Sequence, residues 1–265
     1  MRNSKFIVSV AVAVSAMLGI SAASAADLPA KVYTKAPPPV VVAAYDWSGF
    51  YIGINGGGAW SNKCWDLSPQ TINLFFIPAF TIAGSEGCHD ATGATAGGQV
   101  GYRWQSSAFV FGLEAQGNWA NLTGSNPSLI PFFAGSSNRT RIDAIGLFTG
   151  QVGYSWNAFL LYVKGGAAVT HDNYEGFATA TGFVFDRATE SRWGGVVGIG
   201  GEYSFTRNWS VAIEYDHLFM GSRDVTFYAT TAPFGFSRTD SIRQDVDMVT
   251  ARLNYRFGGP VVAKY

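Results

Sequence analysis

Two cysteines and three histidines are the residues of this chain best suited to covalent or metal chemistry. Glu86 and His89 lie beside Cys88, but no repeated ligand spacing supports a metal site. If the chain is exported, Cys64 and Cys88 meet an oxidising compartment, where they can pair in only one way. Two free thiols remain the alternative. We predict a Cys64–Cys88 disulfide, which would stabilise the fold by roughly 3 kcal/mol through loop closure.

Two neighbouring pairs, His171-Asp172 and Asp216-His217, have the residue types of a catalytic dyad. Adjacent residues of a strand point to opposite faces, so such a pair cannot act together, an objection that is weaker at a strand end, where His171 lies. No serine with a matched His and Asp is visible. The segment GIGGEY (198–203) lacks the lysine of a phosphate-binding loop, and its glycines fit strand kinks better. We therefore expect no enzyme, metal or cofactor; a haem has no axial-ligand pattern to support it.

The first residues predict export. Arg2 and Lys5 precede the apolar run FIVSVAVAVSAMLGI, and Ala23-Ser24-Ala25 supplies a small-residue cleavage site. This order is typical of a signal peptide over residues 1–25. A transmembrane anchor is the alternative, but the run is short for it. The Pro-rich residues 26–45 predict an extended periplasmic linker.

The composition is unusual for a protein surrounded by water. Charged residues make up 14%, aromatic residues 15%, and 32 of 265 residues are Gly. Without residues 1–25 the formal charge is −2, from 16 basic and 18 acidic residues, which argues against a nucleic-acid partner. After residue 25 no apolar stretch is long enough for a membrane helix. A barrel that faces lipid would have these proportions.

Eight segments of similar length alternate in polarity, as VTARLNYRF (249–257) shows. Three of their connections are tight and four are long (61–94, 121–140, 171–191 and 220–244). This alternation predicts an all-β, eight-stranded antiparallel up-and-down transmembrane β-barrel over residues 46–257, followed by a C-terminal tail, 258–265. The segments are 49–60, 95–104, 109–120, 141–156, 159–170, 192–205, 208–219 and 245–257.

The charges of these segments fall on one face, opposite a face of large apolar residues. A soluble barrel would turn the apolar face inward. Here, however, the opposite face carries mostly small residues, which the narrow lumen of an eight-stranded barrel requires. We predict a lumen filled by ion pairs, with a position at the rim as the alternative, for Asp216 above all. The predicted network is Arg103, Glu114, Lys164, Glu202, Glu214, Asp216, Arg252 and Arg256.

Aromatic residues cluster at the ends of the segments, as in the two girdles of a membrane barrel. An ordinary core would place them in mid-strand. The predicted girdle is Trp60, Trp104, Trp119, Trp156, Trp193, Trp209 and Phe257, and the position of Trp47 groups it with them.

Two of the long connections carry apolar runs, INLFFIPAF (72–80) and SLIPFF (128–133). Exposed apolar loops often mark contact sites. The alternative is that these segments pack on each other or extend the strands above the membrane. The candidate contact residues are Phe75, Phe76, Phe80, Phe132 and Phe133.

The segment YDWSGFYIGINGGGAW (45–60), the preceding ADLP with its Pro-rich spacer, and the closing LNYRF resemble the outer-membrane immunogenic protein family, small porin-like barrels of Gram-negative bacteria. The resemblance covers residues 26–257 and implies a barrel of the OmpA/OmpX type and a surface antigen. GGPVVAKY after Phe257 departs from the usual terminal aromatic, which leaves Tyr265 or an internal residue as the assembly signal. We expect a structural, surface-exposed role in contact with outer-membrane lipid. A narrow porin and a loop-borne adhesin or ligand binder are the alternatives.

Overall fold

The computed structural model describes residues 45–74, 77–232 and 234–258. Eight antiparallel strands, each paired with the next in sequence, close into a barrel through pairing of the first with the last. The predicted fold class is confirmed. Within the described ranges no helix has the length and hydropathy needed to cross a bilayer. The strands are β1 (Gly49–Leu74), β2 (Ile77–Ser106), β3 (Phe109–Pro127), β4 (Ser136–Trp156), β5 (Phe159–Ala178), β6 (Val184–Ser204), β7 (Trp209–Ala229) and β8 (Phe236–Arg256).

The predicted signal peptide (1–25), the linker except Tyr45, and the tail beyond Gly258 lie outside the described residues.

Alternating exposure explains why these segments form strands. In β8 the side chains of Thr250, Arg252 and Asn254 are buried, whereas Val249 is exposed. The same alternation in β3 exposes Leu113 and buries its neighbour Glu114. Large apolar residues outside and polar residues inside are the arrangement that a lipid solvent requires.

Three tight turns lie at the end of the barrel where β1 begins and β8 ends. Ser107 and Asn157 adopt positive φ angles of 57° and 56° in two of them. Asn tolerates this left-handed conformation better than most residues, and short loops need it. Short turns are typical of the periplasmic end of outer-membrane barrels, and we call this end the periplasmic end.

Most residues of the four long connections belong to strands. This arrangement matches the alternative in which these segments extend the strands above the membrane. Residues 61–74 continue β1, and 77–94 belong to β2. Strands run from 19 to 30 residues, whereas about ten tilted residues cross a bilayer. The barrel wall therefore continues beyond the outer aromatic girdle as a tube that we call the stalk. Its described tips are residues 128–135, 179–183 and 230–235, with 233 outside the described residues.

One large side chain fills the lower lumen because a neighbouring position has none. Tyr162 pairs directly with Gly200 across β5 and β6. A methyl group at position 200 would overlap the Tyr162 ring. Glycine is thus a packing requirement at this position.

Candidate functional site

Five of the predicted lumen charges form one buried group, the lower charge cluster. Lys164 Nζ lies 2.6 Å from Glu214 Oε1, 3.2 Å from Asp216 Oδ1 and 3.7 Å from Glu114 Oε1. Arg252 bridges Glu114 and Glu214. Asp216 is fully buried, so it does not lie at the rim. Each cation is shared between carboxylates, which is how buried charges are compensated.

Arg103 forms a second ion pair nearer the periplasmic end, with its Nη2 2.8 Å from Glu202 Oε2. Its guanidinium lies 4.4 Å from the Tyr51 ring centre and 5.8 Å from that of Trp47. Grouping Trp47 with the girdle was wrong, because only 1% of it is exposed and its indole closes the lumen below Arg103. Aromatic faces attract the cation.

Arg256 departs from the predicted network because it makes no ion pair among the described residues. Its Nη1 donates to the Ser48 carbonyl at 2.9 Å, and its Nη2 donates to the Arg207 carbonyl at 2.7 Å. Its position at the last residue of β8 places it among the carbonyls of the turn and the entry to β1. The cavity between Arg256 and Tyr51 measures about 10 Å³, room for about one water molecule.

An apolar belt crosses the lumen above the lower charge cluster. All eight strands contribute to it, and its members are almost fully buried. This belt does not follow from the sequence pattern, because several of its members lie in segments interpreted as loops or beside bulges. The belt consists of Ala59, Ala91, Leu122, Ile142, Ile145, Leu147, Ala168, Val196, Leu218, Met220, Val246 and Met248.

A second set of charges, the upper charge cluster, fills the stalk. Arg238 Nη1 lies 2.8 Å from Glu86 Oε1, and its Nε lies 3.0 Å from Asp186 Oδ2. Asp240 Oδ2 lies 3.4 Å from Arg238 Nη1, and neither Asp240 oxygen has a hydrogen-bond partner among the described residues. Burial, with Glu86 and Asp186 adding to it, raises the pKa of Asp240 to about 7. Burial also raises the pKa of Asp186.

The two cysteines are bonded in the stalk. Cys64 of β1 and Cys88 of β2 are direct partners in the ladder, with Cα atoms 4.1 Å apart. The bond fastens the β1–β2 hairpin beyond the outer girdle residue Trp60.

The seven predicted girdle residues are all exposed on the outer wall. Trp104, Trp156, Trp209 and Phe257 lie beside the periplasmic turns, and Trp119 and Trp193 lie about ten residues along their strands. The spacing matches the thickness of a bilayer crossed by tilted strands.

The histidine pairs are separated by strand geometry. His171 Nδ1 lies 3.3 Å from the exposed Ser191 hydroxyl, whereas Asp172 is buried and binds Lys63 at 2.6 Å. His217 faces outward, opposite Asp216, and its Nδ1 lies 2.7 Å from Asp247 Oδ1. In the part of the chain that is described, no group of three or more His, Cys, Asp or Glu residues has the geometry of a metal site.

Aromatic side chains occupy the stalk tips. Phe132 and Phe133 form a short 3₁₀ turn, and Phe132 packs against Phe80 with ring centres 5.6 Å apart. Phe75 and Phe76 lie outside the described residues. Phe234 at 75% exposure and Phe236 at 62% are further exposed aromatics that the sequence analysis did not select.

Comparison with known proteins places this architecture among bacterial outer-membrane barrels. Residues 11–257 match the family described as the outer membrane protein beta-barrel domain. The 31 kDa outer-membrane immunogenic proteins of Brucella melitensis and Brucella suis are 27% identical over 203 residues, covering 72% of this chain and 78% of each relative. The resemblance stated from the sequence is thereby confirmed.

Solved structures align with low sequence identity. The outer membrane protease OmpT of Escherichia coli aligns with a TM-score of 0.47 at 12% identity, over 79% of this chain and 97% of that one. The outer membrane protein OprG of Pseudomonas aeruginosa aligns with a TM-score of 0.42 at 12% identity, over 82% and 99% of the two chains.

Proposed function

The chain belongs to the outer membrane protein beta-barrel domain family, and we propose that it is a sealed barrel, whose role is to anchor a rigid, surface-exposed stalk in the cell envelope. It is an outer-membrane protein with its apolar face in contact with lipid. We include in the proposal a signal peptide over residues 1–25, a periplasmic linker over 26–45, the barrel over 46–257 and a short tail over 258–265.

The apolar belt carries the proposal of a sealed lumen. Every strand contributes a buried residue to it, and buried ion pairs lie on both sides of it along the barrel. An ion entering the belt would lose most of its hydration and meet mainly apolar side chains, which costs several kcal/mol or more. In the lower charge cluster three carboxylates share two cations, and each of the three makes an ion pair.

Planar-bilayer conductance of the refolded protein tests this proposal. Heat-modifiable migration on a gel first establishes that the sample is folded. We expect no steady current from the natural protein, and openings from Met248→Ser combined with Leu147→Ser, which introduce hydroxyls into the belt. Val249→Ser, on the adjacent lipid-facing position, is the matched control. Steady, salt-dependent openings of the natural protein would reject the sealed lumen and favour the narrow porin.

We also propose that the protein is not an enzyme. The side chains of both candidate dyads point to opposite sides of the barrel wall. Among the described residues, the hydrogen bonds of the three histidines do not assemble a Ser-His-acid triad.

A second candidate function, adhesion or ligand binding through the tips, is favoured by the exposed aromatics there. From Phe219 to Ala229 alone, β7 continues for about 30 Å along its own axis beyond the girdle, at roughly 3.3 Å per residue. Exposed apolar groups so far from lipid fit contact with another surface. Cells carrying Phe234→Ser and Phe236→Ser should adhere less to host-cell and abiotic surfaces than cells carrying Tyr228→Ser, with equal surface expression. Equal adhesion would reject this role.

A further inference from the structure

The outer wall of the stalk carries a groove of about 400 Å³ across β4, β5 and β6. Three arginines line it, Arg139, Arg141 and Arg187, together with two acids, Asp143 and Glu175. The groove therefore has a formal charge of +1. Because it lies on the outer wall, a ligand could bind there whether or not the lumen conducts ions.

The ion pairs in the groove leave donors unused. Glu175 contacts both Arg139 and Arg187 at 3.3 Å, through different carboxylate oxygens. Asp143 accepts a hydrogen bond from Asn173 at 2.9 Å. Arg141 is exposed and makes no ion pair with another described residue. One carboxylate shared by two guanidinium groups, beside a third that is free, leaves several N–H groups available to an anion.

The end of the groove nearest the membrane lies at the height of the lipid headgroups. Ala144 pairs with the girdle residue Trp119, and Arg141 lies three positions farther along β4. At roughly 3.3 Å per residue, this is about 10 Å beyond the girdle along the strand. Lipid phosphates occupy this layer, directly outside the hydrocarbon.

The opposite side of the stalk has the reverse charge. The outward-facing charged residues that β1, β2 and β8 carry there, between the girdle and mid-stalk, sum to −3. They are Asp66, Asp90, Asp245, Asp247 and Arg243. This asymmetry means that a headgroup anion approaching the protein is attracted to one side only.

We propose that the groove formed by Arg139, Arg141 and Arg187 binds the phosphate of a phosphorylated glycolipid in the outer leaflet. Guanidinium groups bind phosphate through paired N–H donors, and the charge-assisted bonds are stronger than neutral ones. The acyl chains of the lipid would then lie along the apolar wall below, over Phe148 and Trp193, whose rings stack on each other at 6.2 Å.

Refolding the full-length protein into phosphatidylcholine vesicles containing lipid A tests the proposal. After extraction in mild detergent, native mass spectrometry measures the lipid A that stays bound. We expect Arg141→Gln to weaken retention about tenfold, the value of one strong phosphate contact, and Arg141→Lys to retain most of it. Arg243→Gln, on the acidic side, removes the same charge and should have no effect.

Two further arms separate the possible sources of the anion. Lipid A from which the phosphates have been removed should bind the natural protein no better than intact lipid A binds Arg141→Gln. Inorganic phosphate should not compete at concentrations equal to those of the lipid. Equal losses in Arg141→Gln and Arg243→Gln, unchanged retention in Arg141→Gln, or full competition by inorganic phosphate would each overturn the lipid site. All of these substitutions are at exposed positions, and the heat-modifiable gel shift verifies that each variant is folded.

Discussion

Asp240 gives the upper charge cluster a pH dependence that one substitution should remove. Its side chain is fully buried, and Arg238, its nearest cation, is already bound at shorter distances by Glu86 and Asp186. Burial is the main reason that its pKa is raised to about 7, from 3.8, and the charges of Glu86, Asp186 and Asp66 add to it. The Asp240→Asn substitution keeps the shape of the side chain and removes the titration.

The sign follows from which state holds the proton. Between about pH 4 and pH 7 the folded protein keeps the Asp240 proton, which the unfolded chain releases. The contribution of this group to the free energy of unfolding is therefore complete below pH 4 and is lost as the pH rises through 7. A shift of about three units, at 1.36 kcal/mol per unit, corresponds to about 4 kcal/mol.

Urea titrations of the refolded protein in detergent micelles, at pH 5 and pH 8, measure this difference. Asp240→Asn should gain about 3 kcal/mol relative to the natural protein on going from pH 5 to pH 8, because about two of the three units lie above pH 5. Asp224→Asn, at an exposed position of β7, is the control and should follow the natural protein at both pH values. If Asp240→Asn and the natural protein change in parallel, or if the variant is the less stable at pH 8, the reasoning fails.

Two other predictions concern stability. Replacing Cys64 and Cys88 by Ser should lower the free energy of unfolding by about 3 kcal/mol, by loop closure. The same urea titration checks this: reductant should lower the natural protein to the level of the variant, and a variant as stable as the oxidised protein would contradict it. Arg252→Leu should cost about 3–5 kcal/mol because Glu114 and Glu214 lose the cation that they share, whereas the exposed Arg243→Leu should change stability by less than about 0.5 kcal/mol. Equal urea midpoints for these two leucine variants would show that the lower charge cluster contributes nothing to stability.

The membrane part of the fold was predictable because lipid imposes one pattern on every strand. The segment 109–120 alternates large apolar and small or charged residues, and it lies within β3 (Phe109–Pro127). A single charge on an alternating segment, such as Lys164, identifies the inward face by itself. Its partners on β3 and β7 do not follow from the sequence, since they depend on the stagger of strands that are distant in the chain.

The sequence suggested the stalk only as an alternative for the long connections, because the polarity pattern of the strands is inverted there. Beyond the girdle the outer side of the wall meets water instead of lipid. Trp65 and Ile242 therefore face the interior, whereas Asn62 and Asp66 face outward. Bulges between Trp65 and Asp66 and around residue 143 break the period of two as well. A pattern of apolar residues on the outer face therefore predicts strands that end at the girdle.

The contact of Tyr162 with Gly200 has a consequence for how this sequence can change over time. The ring occupies the volume that a side chain at position 200 would need, on a directly paired position of the next strand. Neither residue can be exchanged alone: a larger residue at 200 collides with the ring, and a smaller one at 162 leaves a void beside the Glu214 carboxylate, to which the Tyr162 hydroxyl donates at 2.7 Å. Divergence in this lumen must proceed by coupled exchanges across neighbouring strands, in which bulk moves from one strand to the next and the total volume is kept.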